Sequence, residues 1–387
     1  MQYRPYGKAG FDVSLFGMGC MRLPRRQRED GSMEIDREKA IEMIRYAADH
    51  GVNYFDTAYG YHRQMSESLV GEALDGGYRQ RVHIATKQPF SVMKNDKGEM
   101  RRNLENTLKK LRTDYIDVYL IHGISYDRDW AGIKKLGVIE AYEQFKSEGL
   151  IRNIAFSYHG DFDHFKEIID YYPDWAMCQI QHNLLDTDRE VTAEGIRYAG
   201  SKDIAVVIME PLRGGGLAST PDDVKRLYDK FPVRRTPVEW AFRHVYDFPE
   251  VSTILSGCTT LEQLKDNIRI FSGEEVKANV MTDAEHELLA KVKAAYESHV
   301  TIPCTGCEYC LPCPQGVAIP ALFGLYNQGM MFEAFDAPRR SYMFPRNQGH
   351  DVSHCVRCGA CEKKCPQYIP IIKQLQLVHE KLDGWYE

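Results

Sequence analysis

The chain is 387 residues long, with 43% hydrophobic and 27% charged residues, proportions of a globular protein with a substantial core that exclude disordered and fibrous classes. Forty-nine basic against fifty-five acidic residues give a net charge of −6, and no block of like charge points to nucleic acid or an anionic membrane as partner. The opening Met-Gln-Tyr-Arg-Pro-Tyr carries no apolar signal segment, and the longest clean apolar run, Ile204 to Met209, is far short of the roughly 20 residues that span a bilayer, so a soluble cytoplasmic protein is expected.

Up to residue 298, short β-branched runs alternate with amphipathic stretches. The runs fall at 13–19, 52–58, 83–87, 115–122, 151–157, 176–181, 204–211 and 251–257, and helical patterns stand between and after them at 36–49, 100–111, 138–148, 191–200, 236–245 and 261–271. Spacing from strand to strand is mostly roughly thirty to forty residues, the size of a βα unit. Eight such units predict a closed parallel (β/α)8 barrel with helices outside. An open doubly wound sheet would carry a glycine fingerprint after its first strand, and none is there. Residues 31–32 and 214–216 read as loops, and the segment from Gly123 to Leu136 as a long loop that shapes specificity. The pattern 283–297 predicts a helix packed over the barrel. The boundary falls at about 299–303, giving a barrel over 1–298 and a small α-rich domain over 299–387, with a last helix at about 371–382.

That second region is set apart by cysteine. Eight of the eleven cysteines lie between Cys304 and Cys365, and in a chain with no export signal such density points to metal. Cys304, Cys307, Cys310 and Cys313 form one run, closed by Pro314. Cys355, Cys358, Cys361 and Cys365 form another, closed by Pro366. Two-residue spacers present three thiolates to one iron–sulfur cubane, and the fourth, Pro-followed cysteine of each run ligates the other cluster. Cys304, Cys307, Cys310 and Cys365 would then hold one [4Fe–4S] cluster, and Cys313, Cys355, Cys358 and Cys361 the second, in a ferredoxin-like two-cluster domain. The second run matches the bacterial pattern to the residue; the first has one residue fewer before its Cys-Pro. Zinc is the rival ligand, though it needs four thiolates per ion, usually as two separated pairs. Clusters of this kind can also serve purely as staples in a small domain. Cys20, Cys178 and Cys258 sit in or beside strands and read as buried thiols.

In a barrel, catalytic groups belong at the C-terminal ends of strands. Asp56 and Tyr61 follow the second run, Lys87 ends the third and His122 ends the fourth. Carbonyl reduction needs an acid for the developing alkoxide. A tyrosine titrating near about 10 serves only if a cation helps, and a lysine held by a carboxylate supplies one. A histidine can orient the carbonyl. Tyr59 rivals Tyr61 in the same loop.

These motifs resemble the aldo-keto reductases, in the branch that carries a C-terminal ferredoxin-type domain. The resemblance rests on Phe55-Asp56-Thr57-Ala58 with Tyr61, Ser66-Glu67, Thr86-Lys87, Tyr115-Ile-Asp117 through His122, Phe156-Ser157, Gln179 through Asn183, Pro211-Leu212, and Gly257 through Asn267. It implies a barrel that interconverts carbonyl and alcohol with NAD(P)H, using Asp56, Tyr61, Lys87 and His122, with Tyr61 as proton donor. The nicotinamide site it implies runs over Gly19, Met21, Ser157, Tyr158, Gln179, Met209, Glu210, Leu212, Gly257, Thr259, Gln263 and Asn267. Several of these depart from the family. Tyr158 stands where an Asn is usual, Met209 replaces the stacking aromatic, and Gly257 and Gln263 replace the basic pair that grips a 2′-phosphate. NADP preference is thereby weakened, NAD becomes more plausible than usual, NAD versus NADP is not decided by the sequence, and a non-nicotinamide donor stays open.

Four readings compete on the sequence. The first is a carbonyl-reducing or alcohol-oxidising enzyme whose clusters exchange electrons with a one-electron partner protein. Hydride carries two electrons and a cubane one, which normally calls for a flavin between them; no flavin motif is legible, although barrels bind flavin through loops that leave little trace. The second keeps the hydride chemistry and makes the clusters structural. The third is a non-catalytic electron-transfer or redox-sensing protein. The fourth is a metal-dependent hydrolase built on His62, His122, His159 and His182. Tyr59, Tyr61, Tyr126, Trp130 and Tyr158 suggest an aromatic mouth for a small carbonyl or alcohol substrate.

Overall fold

Strand pairing begins outside the barrel. In the computed structural model, which describes residues 1–29, 32–93, 97–188 and 190–383, β1 (Tyr3–Pro5) and β2 (Asp12–Ser14) form an antiparallel pair. The barrel opens with β3 (Phe16–Gly19). A small hairpin of β4 (Arg25–Gln27) and β5 (Met33–Ile35) follows, and then β6 (Tyr54–Asp56), β7 (His83–Pro89), β8 (Ile116–Ile124), β9 (Ile151–Tyr158), β10 (Met177–Gln181), β11 (Ala205–Met209) and β12 (Val251–Ser256). The eight long-range strands close in the order β10-β11-β12-β3-β6-β7-β8-β9, as eight βα units require.

Helices fill the connections. In sequence α1 (Arg37–Asp49) precedes β6, α2 (Ser66–Ala73) precedes β7, α3 (Lys97–Leu111) precedes β8, and α4 (Ala131–Leu136) and α5 (Val138–Ser147) precede β9. Then come α6 (Phe162–Tyr171), α7 (Thr192–Ser201), α8 (Asp222–Lys230), α9 (Pro237–Tyr246) and, after β12, α10 (Leu261–Phe271). Local sequence sets their starts: the Asp36 carboxylate accepts from the Lys39 amide at 3.3 Å, after which Ala40, Met43, Ile44 and Ala47 bury one face of α1.

Two expectations change. Residues 13–19 are not one strand: Val13 and Ser14 pair with Arg4 and Tyr3, and the Ser14 amide donates to the Asn53 side chain at 2.7 Å, so the barrel strand starts only at Phe16. The segment 123–136 is not an open loop. β8 runs on to Ile124, a π-helical turn spans Tyr126–Trp130 and α4 follows, anchored by the buried Trp130 and Ile133. Of the expected loop at 31–32, Gly31 lies outside the described residues.

The chain divides into two compact units. One holds Met1–Arg213 with Glu239–Met281, and the other Gly214–Val238 with the chain from Thr282 onward. In the second unit α11 (Asp283–Ser298) starts on a capping box, Thr282 with Glu285, and packs against α8. The Tyr296 hydroxyl donates to the Ser219 carbonyl at 3.3 Å and His299 meets Asp223 at 2.9 Å. Beyond it, α12 (Ile319–Met331), α13 (Asp336–Asn347), α14 (Ala360–Lys364) and α15 (Ile371–Leu382) surround a core of Leu322, Phe323, Tyr342, Leu375 and Val378, against which six of the eight clustered cysteines pack. Among the described residues no helix is long and apolar enough to cross a membrane.

Candidate active site and cluster-binding region

Side chains alternate across a strand, so residues two apart share a face. Tyr54, Ala85, Leu120, Ala155, Met177, Val207 and Leu255 belong to one buried cluster of the barrel strands. Two residues further along each strand, at its C-terminal end, come Asp56, Lys87, His122, Ser157, Gln179, Met209 and Gly257, and Gly19 stands likewise beyond Gly17 on β3. Alternation thus sends one residue from each strand into a strand-end layer, staggered between neighbouring strands, at the end of the barrel where this fold keeps its chemistry.

Within that layer Lys87 is the centre. Its ammonium donates to Asp56 at 2.5 Å, to the Thr57 carbonyl at 2.9 Å and to the Tyr61 hydroxyl at 3.4 Å. Lys87 is 1% exposed and Asp56 2%. Two charges taken out of water this far persist only because each meets the other. The rings of Tyr61 and His122 meet edge to face with centres 5.9 Å apart. The loop that carries Tyr61 is tied down locally: the Ser66 amide donates to the Tyr61 carbonyl at 3.3 Å, Thr57 to the Ser66 hydroxyl at 2.9 Å, and Ser66 in turn to the Cys20 carbonyl at 3.0 Å. Tyr59 turns elsewhere, with the Lys110 ammonium 5.1 Å from its ring centre.

Electrostatics follow from this burial. Desolvation alone would push Lys87 down, yet Asp56 and Tyr61 beside it hold it above its ordinary value. Burial lifts Tyr61 above its ordinary value against the pull of Lys87. The lysine therefore limits the rise and does not produce the lowered acid that the residue types suggest. Burial, with Lys87 and His159 nearby, pushes His122 down to about 3, which leaves it neutral in ordinary buffers.

The remaining expected residues divide. Ser157 accepts from the Gly123 amide at 2.7 Å. Gln179 approaches the Met209 sulfur through its amide nitrogen at 3.6 Å, while its buried Oε1 has no partner in the structure. That orphaned acceptor fits the carboxamide of a nicotinamide. Tyr158 does not join the layer: one residue past Ser157, it packs on Phe165 of α6 with ring centres 5.8 Å apart. Trp130 and Tyr126 likewise pack on Tyr171 and His164, whereas the ring of Tyr61 meets a layer residue, His122. Glu210 follows Met209 with φ 55° and forms an ion pair with Arg22 at 3.7 Å. A Cβ added at Gly257 would stand 3.0 Å from the Cβ of Arg22, so an arginine stem occupies the space a side chain at 257 would take. Sequence reasoning missed Arg22, because nothing local links two residues so far apart in the chain. Asn267 donates to Ser256 and to the Cys258 sulfur, both at 3.2 Å, and Gln263 folds over Thr259, accepting from its amide at 2.9 Å. Met21 is exposed and Leu212 half-buried.

Other motif residues build the scaffold. Buried Glu67 accepts from Thr86 at 2.8 Å and from Lys110 at 3.2 Å. Asp117 pairs with Arg79 at 2.8 Å and accepts from the Ile84 amide. The four histidines do not converge: His62 accepts from the Leu23 amide, His159 meets Glu190, and His182 stacks on His244 with ring centres 5.3 Å apart. Among the described residues no three His, Cys, Asp or Glu side chains close to the separation a single metal ion demands.

In the cysteine-rich region two separate cavities appear. One is lined by Cys304, Cys307, Cys310 and Cys365, the other by Cys313, Cys355, Cys358 and Cys361. Each run thus gives three thiols to one cavity and its Pro-followed fourth to the other. Two quartets of soft sulfur donors, each around its own small apolar-walled space, fit iron–sulfur clusters. Cys20, Cys178 and Cys258 are buried thiols whose pKa burial raises.

A closed parallel barrel with an Asp–Lys–Tyr constellation at its strand ends and a separate thiol-rich region defines a barrel oxidoreductase with an iron–sulfur domain. The aldo/keto reductase family model matches residues 16–286, and a 4Fe-4S dicluster domain model matches 303–369; the chain belongs to the aldo/keto reductase family. An uncharacterized oxidoreductase of Bacillus subtilis, YqkF, is 26% identical over 72% of this chain and 95% of its own length. The NADH-specific methylglyoxal reductase of Escherichia coli is 25% identical over 77% of this chain and all of its own. The aldo-keto reductase AKR11C1 of Bacillus halodurans, in its holo form, superposes with a TM-score of 0.62 at 26% identity, covering 76% of this chain and 96% of its own.

Proposed function

We propose that this NAD(P)-dependent oxidoreductase interconverts a small carbonyl and its alcohol with Tyr61 as the proton donor. The observation that carries this reading is the buried Lys87 ammonium held between Asp56 and the Tyr61 hydroxyl. The nicotinamide, when bound, supplies or accepts the hydride. Tyr61 gives its proton to the carbonyl oxygen in the reducing direction. Lys87 then faces the tyrosinate, and Asp56 holds the ammonium in place, so the anion left behind is met by a fixed cation. Neutral His122, edge-on to Tyr61, hydrogen-bonds the carbonyl and orients it. Ser157 and the unpartnered Gln179 oxygen hold the carboxamide.

NADH is the preferred cofactor. Gly257 and Gln263 bring no charge to the place where a 2′-phosphate would be gripped, and Arg22 is engaged with Glu210. The name of the Escherichia coli relative agrees with that choice. Arg22, whose stem lies against Gly257, is a cation that would meet the dinucleotide's phosphates, in competition with Glu210.

The modules run 1–298 and 299–387, as the two matched ranges suggest. In the second, Cys304, Cys307, Cys310 and Cys365 hold one [4Fe–4S] cluster and Cys313, Cys355, Cys358 and Cys361 the other, a division that the two cavities support. Each cluster, when bound, carries one electron at a time, and a one-electron carrier protein in the cytoplasm is the natural partner. The test is an anaerobic titration with NADH, then NADPH, before and after adding a short aldehyde. The reading expects tighter binding of NADH and its stoichiometric oxidation on aldehyde addition. Absence of binding by either nucleotide overturns it.

A further inference from the structure

Strand β11 is the seventh of the barrel, and the chain that leaves it, from Glu210 to Ser219, is held at its two ends by different partners. At the near end the Asn183 amide donates to the Glu210 carbonyl at 3.2 Å. Arg213 pairs there with Asp186 at 3.3 Å, and Asp186 also accepts from Gln181 and Asn183 at 3.0 and 2.9 Å. At the far end the ring of Phe332 lies over Gly216, where a Cβ would stand 2.6 Å from the ring's Cε2. Tyr296 meets Phe332 edge to face with centres 5.5 Å apart, and its hydroxyl donates to the Ser219 carbonyl. Between the two ends stand Gly214 and Gly215, with φ of 68° and 93°, a conformation that glycine takes at no steric cost. A Cβ at Gly215 would meet nothing within 4 Å. The middle of the turn therefore faces open space and takes its shape from its ends.

Phe332 is itself fixed. It caps α12, and Glu333, at φ 49°, turns the chain out of the helix. The Glu333 amide donates to the Met330 carbonyl at 3.2 Å and the Ala334 amide to the Gly329 carbonyl at 3.0 Å, which closes the helix end. The ring is 3% exposed. At the other end of the same helix Ile319 lines both cysteine cavities, and Phe323, one turn on, lines that of Cys304, Cys307, Cys310 and Cys365. Thirteen residues of helix span about 20 Å. Gly216, Ser219, Tyr296 and all of α12 belong to the second compact unit, so one rigid element runs from the cluster cavities to the glycine turn.

We propose that Phe332 is a positioning residue for the dinucleotide, and that α12 makes the nucleotide's affinity depend on the iron–sulfur clusters. The proposal rests on the nicotinamide reading above, which gives Glu210 and Leu212 to the cofactor. Loops after the seventh and eighth strands are where barrels of this kind hold phosphate groups, and the pinned turn starts at those two residues. Phe332 acts through Gly216, by limiting the shapes that two glycines can take. Loss of a cluster removes the packing of Ile319 and Phe323 and loosens the start of α12. When either end of the helix is loosened, the turn spreads over more conformations and the nucleotide finds only a fraction of them competent. Its apparent affinity falls by that fraction.

The experiment uses full-length protein prepared without oxygen and with its clusters loaded, as wild type, Phe332→Leu, Phe332→Ala, Gly216→Ala and Phe332→Ala/Gly216→Ala. Part of each is stripped of iron with a chelator. NADH affinity is read by nicotinamide fluorescence, aldehyde reduction at saturating NADH by absorbance, and iron by chemical assay. Phe332→Ala and Gly216→Ala should each weaken NADH binding by about fivefold or more. Iron content and the saturated rate should stay within about twofold of wild type, the pattern of lost uniform binding. Phe332→Leu should fall between wild type and Phe332→Ala. In the double variant the new methyl enters the space that the ring has left, so the loss should be smaller than the product of the two single losses. Stripping should weaken wild type by a similar factor and change Phe332→Ala little, because the connection is already cut. Equal NADH affinity in loaded wild type and both single variants, a double variant that shows the full product, or stripping that weakens Phe332→Ala as much as wild type each overturn the proposal. If Phe332→Ala does not keep its iron, the same comparisons pass to Phe332→Leu and Gly216→Ala. If wild type binds neither NADH nor NADPH, the nicotinamide reading fails and this proposal with it.

Discussion

Asp56 and Lys87 are thirty-one residues apart in the chain and meet at 2.5 Å only because β6 and β7 are neighbours in a closed barrel. Cys304, Cys307 and Cys310 share a cavity by local spacing alone, and only Cys365 comes from afar. The first site is therefore sensitive to anything that loosens the barrel and buries its charges as a pair. The second needs little framework of its own beyond a modest apolar core, because three of its four thiols are brought together by sequence spacing. Convergence by topology makes a site of few, irreplaceable groups, while convergence by spacing makes one that can be lost half at a time.

The largest effect that would sharpen this contrast is expected at Lys87. Lys87→Met strips Asp56 of its partner and leaves a buried carboxylate, so it should destabilise the fold by about 3–5 kcal/mol in urea denaturation and abolish aldehyde reduction. Asp56→Leu/Lys87→Met should recover most of the stability and none of the activity. Recovered activity would break the link between the buried pair and catalysis.

The cluster region should behave in halves. Cys304→Ser/Cys365→Ser should lower iron from about eight to about four atoms per chain, because both thiols serve one cluster. Cys304→Ser/Cys361→Ser should damage both clusters. If the two double variants lose iron alike, the crossed assignment is wrong.

Smaller effects concern charge at the mouth. Arg22→Ala should weaken NADH binding by about tenfold, read by nicotinamide fluorescence, and Glu210→Gln should tighten it. The pH dependence has a definite sign. Reduction needs Tyr61 protonated, and burial keeps its pKa above the ordinary value, so the rate should stay level from about pH 6 to about pH 9. Alcohol oxidation needs the tyrosinate and should rise through the same range. His122, neutral down to about 3, should add no inflection there.

Much of this was legible from the residues, and the reasons differ by region. The alternation of β-branched runs with amphipathic helices exposes a βα barrel because both periods are written locally. Cys313 lines the cavity of the second run and Cys365 that of the first, the division that the spacing alone suggests. The layer of strand-end residues was readable only as separate motifs, since which strand faces which is a property of closure. Tyr158 shows the cost: its neighbour Ser157 is in the layer, while period two sends Tyr158 to Phe165. Arg22 against Gly257 and Phe332 over Gly216 are tertiary facts with no local signature. In α13, Pro338 falls in the first turn, where an amide hydrogen would have no helical partner, whereas Pro345 lies inside the helix and removes one backbone bond, so the segment does not read as a helix from its sequence.

The central claim is that Tyr61, its hydroxyl held against the Lys87 ammonium, is the proton donor. Its most direct test is single-turnover oxidation of bound NADH by a short aldehyde in Tyr61→Phe beside Tyr59→Phe. The account predicts a loss of about a hundredfold or more for Tyr61→Phe, with NADH binding retained, and a change of at most about threefold for Tyr59→Phe, within what a peripheral substitution gives. Undiminished turnover in Tyr61→Phe would contradict it.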